Sequence, residues 1–335
     1  MNIVVMQYGV ICPGATYEEL AGQWEALRGK VPEVKKLTVV RDDGSYTGEK
    51  LDALIGDADA LLGLIIKKDT ITRQFFEKHP GLKYIATVSH GYQEFDKQAA
   101  KEIGVTVTNT IYGDITIAQY TMALLLDICH NTGMQNDYLK KLYWLQEDKT
   151  PYVKSFSRQI ELFDKTVGII GLGAIGLAFA KMAAGMGMKV ISYSRNKKSG
   201  EEYGFIEQCS MEELMARSDI ISLSCPLTKE TENLIDREKI AGMKDGVIIL
   251  NTARGALIDE EALAEALNSR KVYAAGIDVM REEPPAVPGA LMLNPYCRVT
   301  GHIAWMTKEA SLRGIRMAID NYASYLSGKP VSVIS

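Results

Sequence analysis

Four histidines, at 79, 90, 130 and 302, are the whole imidazole supply of this chain, and imidazole is the side chain best matched to proton transfer near neutral pH. His79 lies in the turn EKHPG and His130 at the end of an apolar helical run, so both read as surface positions. His90, in SHGYQ at a strand end, reads as a candidate substrate contact. No two histidines have ligand spacing such as HxxxH, which disfavours metal catalysis. His302 follows the run RVTG and has company. VIILN is followed by Thr252, Ala253 and Arg254, and AAGIDV by Met280, Arg281, Glu282 and Glu283. In open parallel sheets ligands bind beyond the carboxyl ends of the strands. An arginine, a carboxylate and a histidine therefore leave three strands on one ligand edge. Any one of them alone reads as a helix cap or surface ion pair; three together on one edge read as chemistry.

The cofactor signal is GLGAIG, Gly171 to Gly176, between the strand-like TVGII and the apolar helix-like AIGLAFAKMAAGMG. Gly171, Gly173 and Gly176 have the spacing of a dinucleotide-binding turn, and the amides from Gly173 through Ala174 and Ile175 can face a pyrophosphate at a helix start. The next strand normally ends in Asp or Glu, which holds the ribose 2′-hydroxyl. Here it ends in ISYSRN. Ser194 can donate to a phosphate oxygen, and Arg195, Asn196, Lys197 and Lys198 make the local field positive. That composition favours the 2′-phosphate of NADP, with NAD possible, over a merely solvated basic turn.

The elements that position these groups follow from periodicity. The runs NIVVM, LTVV, ALLGLII, KYIATV and VTVTN alternate with helical segments over the first hundred residues, the pattern of a parallel sheet covered on both faces. The rhythm restarts after Phe163 with TVGIIG, KVISYS, DIISLS, GVIILN, AAGIDV and RVTGH, six strands that fit a Rossmann unit. The fold expected is α/β, two doubly wound parallel-sheet domains with a cleft between them. The helix containing Ile115 to Cys129 carries the chain across, and the last helical segment returns. Residues 1–111 with 303–335 then form a discontinuous substrate domain, and residues 112–302 the nucleotide-binding domain.

Bulk properties narrow the class. The 335 residues are 47% hydrophobic and 24% charged with net charge −4, which gives no electrostatic footprint for nucleic acid or anionic membrane. The five cysteines form no CxxC and fit a reducing, cytoplasmic setting. MNIVVMQYG reads as a first strand, without a signal-peptide pattern, and the apolar segment 115–131 is too interrupted to span a membrane.

GLGAIG, CPLTKETENLID, ILNTARGALIDEEALAEAL, AAGIDVMREEPP and HIAW, in that order, resemble the D-isomer-specific 2-hydroxyacid dehydrogenase family over nearly the whole chain. The resemblance implies a flavodoxin-like substrate domain beside the Rossmann domain. It implies that Arg254 binds the substrate carboxylate, that Glu283 supports the histidine and that His302 is the acid/base. It adds Cys225, Pro226, Thr231, Thr252, Ala253, Arg254, Asp278 and His302 to the cofactor contacts. Ser89, His90 and Gly91 of SHGYQEFD, with Arg254, become the substrate contacts. HIAWMT is similar to the glycerate dehydrogenase and hydroxypyruvate or glyoxylate reductase branch, where an aromatic such as Trp305 lines the substrate pocket. Gly301 replaces the Pro usual before the histidine, and Ser89 replaces the first glycine of the substrate loop.

The activity implied is NAD(P)H-dependent, reversible reduction of a small 2-oxo acid to the D-2-hydroxy acid, by a homodimer. The chain ends soon after its last helix, so a phosphorylated substrate is disfavoured. The competing class is a nucleotide-gated binding protein, because the C-terminal-binding-protein corepressors resemble the same family and carry Ala-Trp after the histidine.

Overall fold

The computed structural model describes residues 1–8, 14–64, 70–89, 95–144 and 158–335. The chain divides into two compact units, Met1–Gly113 with Met306–Ser335 and Asp114–Trp305. Both are α/β with parallel sheets.

The first unit holds β1 (Asn2–Tyr8), β2 (Lys36–Asp42), β3 (Ala60–Leu64), β4 (Tyr84–Thr87) and β5 (Thr106–Thr108), in the order β2-β1-β3-β4-β5. This is the flavodoxin-like order. Alternation along β1 builds the two cores. Ile3 and Val5 face Trp24, Leu27, Ile319 and Tyr322, whereas Val4 and Met6 face Leu51, Ile55, Phe75 and Phe76. Each side chain so buried contributes about 1.5–3 kcal/mol relative to exposure. The last helix, Lys308–Leu326, belongs to this unit; Thr307 caps it by accepting from the Ala310 amide. Its Asn321 donates to the Asn109 carbonyl oxygen beyond β5 at 2.9 Å. The surface reading of His79 is corrected. Its ring is buried, 2.9 Å from Asp52 through Nε2 and packed on Phe75, because the end of helix Arg73–Lys78 folds it back onto the core.

The second unit holds β6 (Thr166–Ile170), β7 (Lys189–Tyr193), β8 (Glu207–Gln208), β9 (Ile220–Leu223), β10 (Val247–Asn251), β11 (Val272–Ile277) and β12 (Cys297–Val299). Their order, β12-β11-β10-β9-β6-β7-β8, is a Rossmann sheet with one strand added beyond β11. Val167 and Ile169 of β6 pack with helices Asp114–His130 and Ala174–Gly185 on one face. Ile170, Ile221 and Ile249 pack with Leu214, Ile240 and Leu263 on the other. The order reverses between β6 and β9, so the crevice beyond their carboxyl ends is where such sheets take ligands. Cys129, Cys209, Cys225 and Cys297 are free thiols. Among the described residues no helix is long and apolar enough to cross a membrane.

Candidate active site

The turn after β6 is shaped by its glycines. Gly171 has φ +98°, a backbone that L side chains rarely adopt, and a Cβ there would fall 2.6 Å from the Ser224 backbone. A Cβ on Gly176 would fall 2.2 Å from the Gly171 carbonyl oxygen, so the helix can sit on the turn only without a side chain. Gly173 differs, since nothing lies within 4 Å of its Cβ position. It is the N-cap of helix Ala174–Gly185 and makes no side-chain cap bond. The first-turn amides, including Ala174, Ile175 and Gly176, have no intrahelical acceptor and carry the positive end of the helix dipole. An open space above such amides fits a pyrophosphate.

Ser194 directly follows β7, its Oγ accepting from the Leu172 amide at 3.0 Å. The hydroxyl thus steadies the glycine turn, and its own hydrogen is left to donate. Arg195 and Asn196 are exposed. Behind them Gln208 of β8 accepts from the Lys198 amide and donates to its carbonyl oxygen, both at 2.7 Å. On the other side of the turn, burial pushes the Cys225 thiol up to about 11, so it is a packing group and not a thiolate. Thr231 Oγ1 accepts from the Thr228 amide at 2.7 Å and donates to the Pro226 carbonyl oxygen at 2.8 Å. Its hydrogen goes to its own loop, so Thr231 braces Pro226 in the loop after β9.

The expected acid/base group comes together beyond β10, β11 and β12. Buried Asn251 closes β10, donating to the Arg254 carbonyl oxygen at 2.8 Å and accepting from the Ala253 amide at 3.0 Å. Thr252 is held 2.8 Å from Thr121 of helix Asp114–His130. A Cβ on Gly255 would fall 2.0 Å from Met280, so only glycine lets the Arg254 and Glu283 loops approach each other this closely. Arg254 donates to the Ala253 carbonyl oxygen at 2.6 Å.

Glu283 accepts from the Met280 amide at 2.8 Å and lies 2.6 Å from Nδ1 of His302. Burial pushes its carboxyl up, but the His302 hydrogen bond and charge, the Met280 amide and the Arg254 charge leave it below the ordinary range. His302 has φ +57°. Asp278 explains how that backbone is held. Its carboxylate, 1% exposed, accepts from Thr300 Oγ1 at 2.6 Å and from the amides of Ile303 and Ala304 at 3.0 and 2.9 Å. The His302 amide donates to the Asp278 carbonyl oxygen at 2.7 Å. Asp278, a candidate cofactor contact from the sequence, also brackets the histidine turn. An imidazole tied through Nδ1 to a carboxylate, half-exposed and near a guanidinium, can pass a proton at Nε2.

On the expected substrate side, Trp305 donates from Nε1 to the His302 carbonyl oxygen at 3.0 Å. In the first unit Ser89 Oγ donates to Thr87 Oγ1 at 3.3 Å, just beyond β4. His90 and Gly91 lie outside the described residues. Sequence reasoning missed Asn251 and Arg281. A polar residue closing the apolar run VIILN was a usable signal for the first. Arg281 ties the Glu283 loop to Glu232 at 3.1 Å and to Asn233, a pairing with no local pattern to reveal it.

Residues 122–304 match the family described as D-isomer specific 2-hydroxyacid dehydrogenase, NAD binding domain. The hydroxypyruvate reductase of Blautia hydrogenotrophica is 38% identical over 100% of both chains. Among solved structures, the TT0316 protein from Thermus thermophilus superposes with TM-score 0.81 at 30% identity over 100% of both chains. The acyclic imino acid reductase Bsp5, in complex with NADPH and D-Arg, does so with TM-score 0.79 at 28% identity over 100% of both chains.

Proposed function

The chain belongs to the D-isomer-specific 2-hydroxyacid dehydrogenase family, and within it we propose a reductase of small 2-oxo acids, hydroxypyruvate or glyoxylate in type, that forms the D-2-hydroxy acid and prefers NADPH. The observation that carries this is the 2.6 Å pairing of His302 Nδ1 with Glu283 on the ligand edge of a Rossmann sheet. It leaves Nε2 as the ring atom that exchanges a proton with substrate.

The dihydronicotinamide, when bound, supplies hydride to the carbonyl carbon. His302 donates its Nε2 proton as charge builds on the carbonyl oxygen, and Glu283 keeps the ring oriented. Arg254 offers a planar fork to the substrate carboxylate. The amides from Gly173 to Gly176 hold the pyrophosphate, while Ser194, Arg195 and Asn196 take the 2′-phosphate. Cys225, Pro226, Thr252 and Ala253 border the same crevice. Met1–Gly113 with Met306–Ser335 form the substrate domain and Asp114–Trp305 the cofactor domain, with Ser89, His90, Gly91 and Trp305 contacting substrate. The NADPH preference is supported by the absence of a carboxylate at 194 and by the reductase relative bound to NADPH. The reading extends to a homodimer in the cytoplasm, and the four free thiols among the described residues support a reducing compartment.

The test is multiple-turnover NADPH oxidation with hydroxypyruvate, glyoxylate, pyruvate and a simple ketone. Turnover confined to the 2-oxo acids is the expected result. Arg254→Lys should lose both rate and that discrimination. Saturable cofactor binding with no turnover on any substrate would favour the nucleotide-gated binding protein instead.

A further inference from the structure

β10 ends on Asn251, the one polar residue of the run VIILN, and that residue is fully buried. A buried carboxamide needs partners for both its oxygen and its nitrogen. Asn251 finds them on the segment that follows. Its Oδ1 accepts from the Ala253 amide at 3.0 Å and its Nδ2 donates to the Arg254 carbonyl oxygen at 2.8 Å. Arg254 Nη1 in turn donates to the Ala253 carbonyl oxygen at 2.6 Å, so the guanidinium is tied to the segment that the carboxamide holds. The backbone of Asn251 faces the other way. Its carbonyl oxygen accepts from the Asp278 amide at 2.9 Å, where β10 pairs with β11, and Asp278 carries the His302 turn through the Ile303 and Ala304 amides. One residue therefore fixes the Arg254 segment through its side chain and the support of the His302 turn through its backbone. Little slack remains on the far side of Arg254, because a Cβ on Gly255 would fall 2.0 Å from the Met280 backbone.

We propose that Asn251 is a positioning residue for substrate: it sets Arg254 in register with His302, so that the carboxylate and the carbonyl of one 2-oxo acid are engaged together. This rests on the reading of Arg254 as the carboxylate-binding group and His302 as the acid. Buried with both polar groups engaged, the carboxamide acts through Arg254 and not on substrate. A displacement of about 1 Å in such a site costs up to about 100-fold in rate. Serine at 251 can still accept from the amide two residues on, as serine hydroxyls do in turns, but it offers no donor to the Arg254 carbonyl oxygen. Alanine leaves both backbone groups without the partner they have now.

The experiment measures binding of oxamate, an isostere of a 2-oxo acid that is not reduced, to the NADPH-loaded full chain, beside kcat and KM for hydroxypyruvate. Asn251→Ser should weaken oxamate by about 3- to 10-fold and Asn251→Ala by about 10- to 100-fold, with kcat/KM falling in parallel. NADPH titrated alone should bind within about threefold of wild type, because the glycine turn after β6 is untouched. Asn251→Ala also lowers the urea midpoint; Asn251→Ser, which keeps one of the two bonds, decides the question if the alanine protein does not fold. Adding Asn251→Ser to Arg254→Ala should cost no further oxamate affinity, whereas a general loosening of the sheet would cost the same factor in both backgrounds. If Arg254→Ala binds oxamate as the wild type does, Arg254 does not read the carboxylate and the proposal falls with that reading. If Arg254→Ala weakens oxamate but Asn251→Ser keeps wild-type affinity, or costs the same factor with and without Arg254, the reading of Arg254 stands and the role of Asn251 is overturned.

Discussion

Nδ1 of His302 lies 2.6 Å from Glu283 Oε2, and the other carboxylate oxygen takes the Met280 amide at 2.8 Å. The imidazole is thus oriented by a carboxylate that is itself oriented by backbone. Removing the ring removes the proton donor and little else, so His302→Ala should lower kcat by about 10²–10⁴-fold. The left-handed φ of +57° adds strain for alanine. His302→Asn is the matching control, because asparagine tolerates that backbone and still lacks the acid. Both variants should bind NADPH as the wild type does in fluorescence titration. A variant with more than half the wild-type kcat would remove His302 from the chemistry.

Asp278 should prove a structural requirement of that histidine. In Asp278→Asn the carboxamide oxygen can still accept from Thr300 and Ile303, but its NH₂ would face the Ala304 amide, donor against donor. A buried amide left without an acceptor costs about 1–3 kcal/mol. The urea midpoint should fall accordingly and kcat should fall with it. Thr300→Val, which loses one hydrogen bond to the Asp278 carboxylate, should cost about 1.5–3 kcal/mol by the same measurement. An Asp278→Asn protein of unchanged stability would mean that the turn is held by its own backbone.

The α/β class and both parallel sheets were legible because each buried strand is a short apolar run and each run is bounded by turn residues. β8 was not, since Glu207 and Gln208 form a two-residue edge strand without any apolar signal. Arg254, Glu283 and His302 could be picked out because parallel topology places every strand's carboxyl end on one side. The bracketing groups were harder. Asp278 and Thr231 also brace their own turns, through hydrogen bonds with Ala304 and Pro226 that only the folded backbone brings within reach. His79 looked exposed because a turn sequence does not reveal that its ring folds back onto Phe75 and Asp52.

That buried histidine predicts a pH effect. The His79 hydrogen bond, against the upward push of burial and with lesser help from Lys78, holds the Asp52 carboxyl below 3.8, its ordinary value. A depressed carboxyl favours the folded state above its unfolded pKa, and that contribution disappears as pH falls through the folded value. Wild type and Asp52→Asn should therefore differ most in urea midpoint above about pH 5 and converge toward pH 3. A gap that stays constant over that window would assign the effect of Asp52 to packing and not to charge.

Two glycines of the β6 region should separate stability from cofactor binding. A Cβ on Gly168 would fall 2.2 Å from Ser218 Oγ and 2.7 Å from Leu214 Cδ2, both buried against β6. Neither neighbour is the end of a long flexible chain, so Gly168→Ala overpacks the core and should cost about 1–3 kcal/mol in urea unfolding. Any protein that remains folded should still bind NADPH, since the clash lies within the sheet and helix layer. At Gly173 the same methyl meets nothing within 4 Å, so Gly173→Ala should unfold at the wild-type urea concentration. The open volume is where the pyrophosphate approaches the helix amides, and a methyl there should weaken NADPH and NADH alike by about tenfold or more, roughly the 1.4 kcal/mol of one lost close contact. Equal loss for the two cofactors is the discriminating result, because the pyrophosphate is common to both. A Gly173→Ala protein with wild-type affinity for both would show that the dinucleotide does not cross the turn at this glycine.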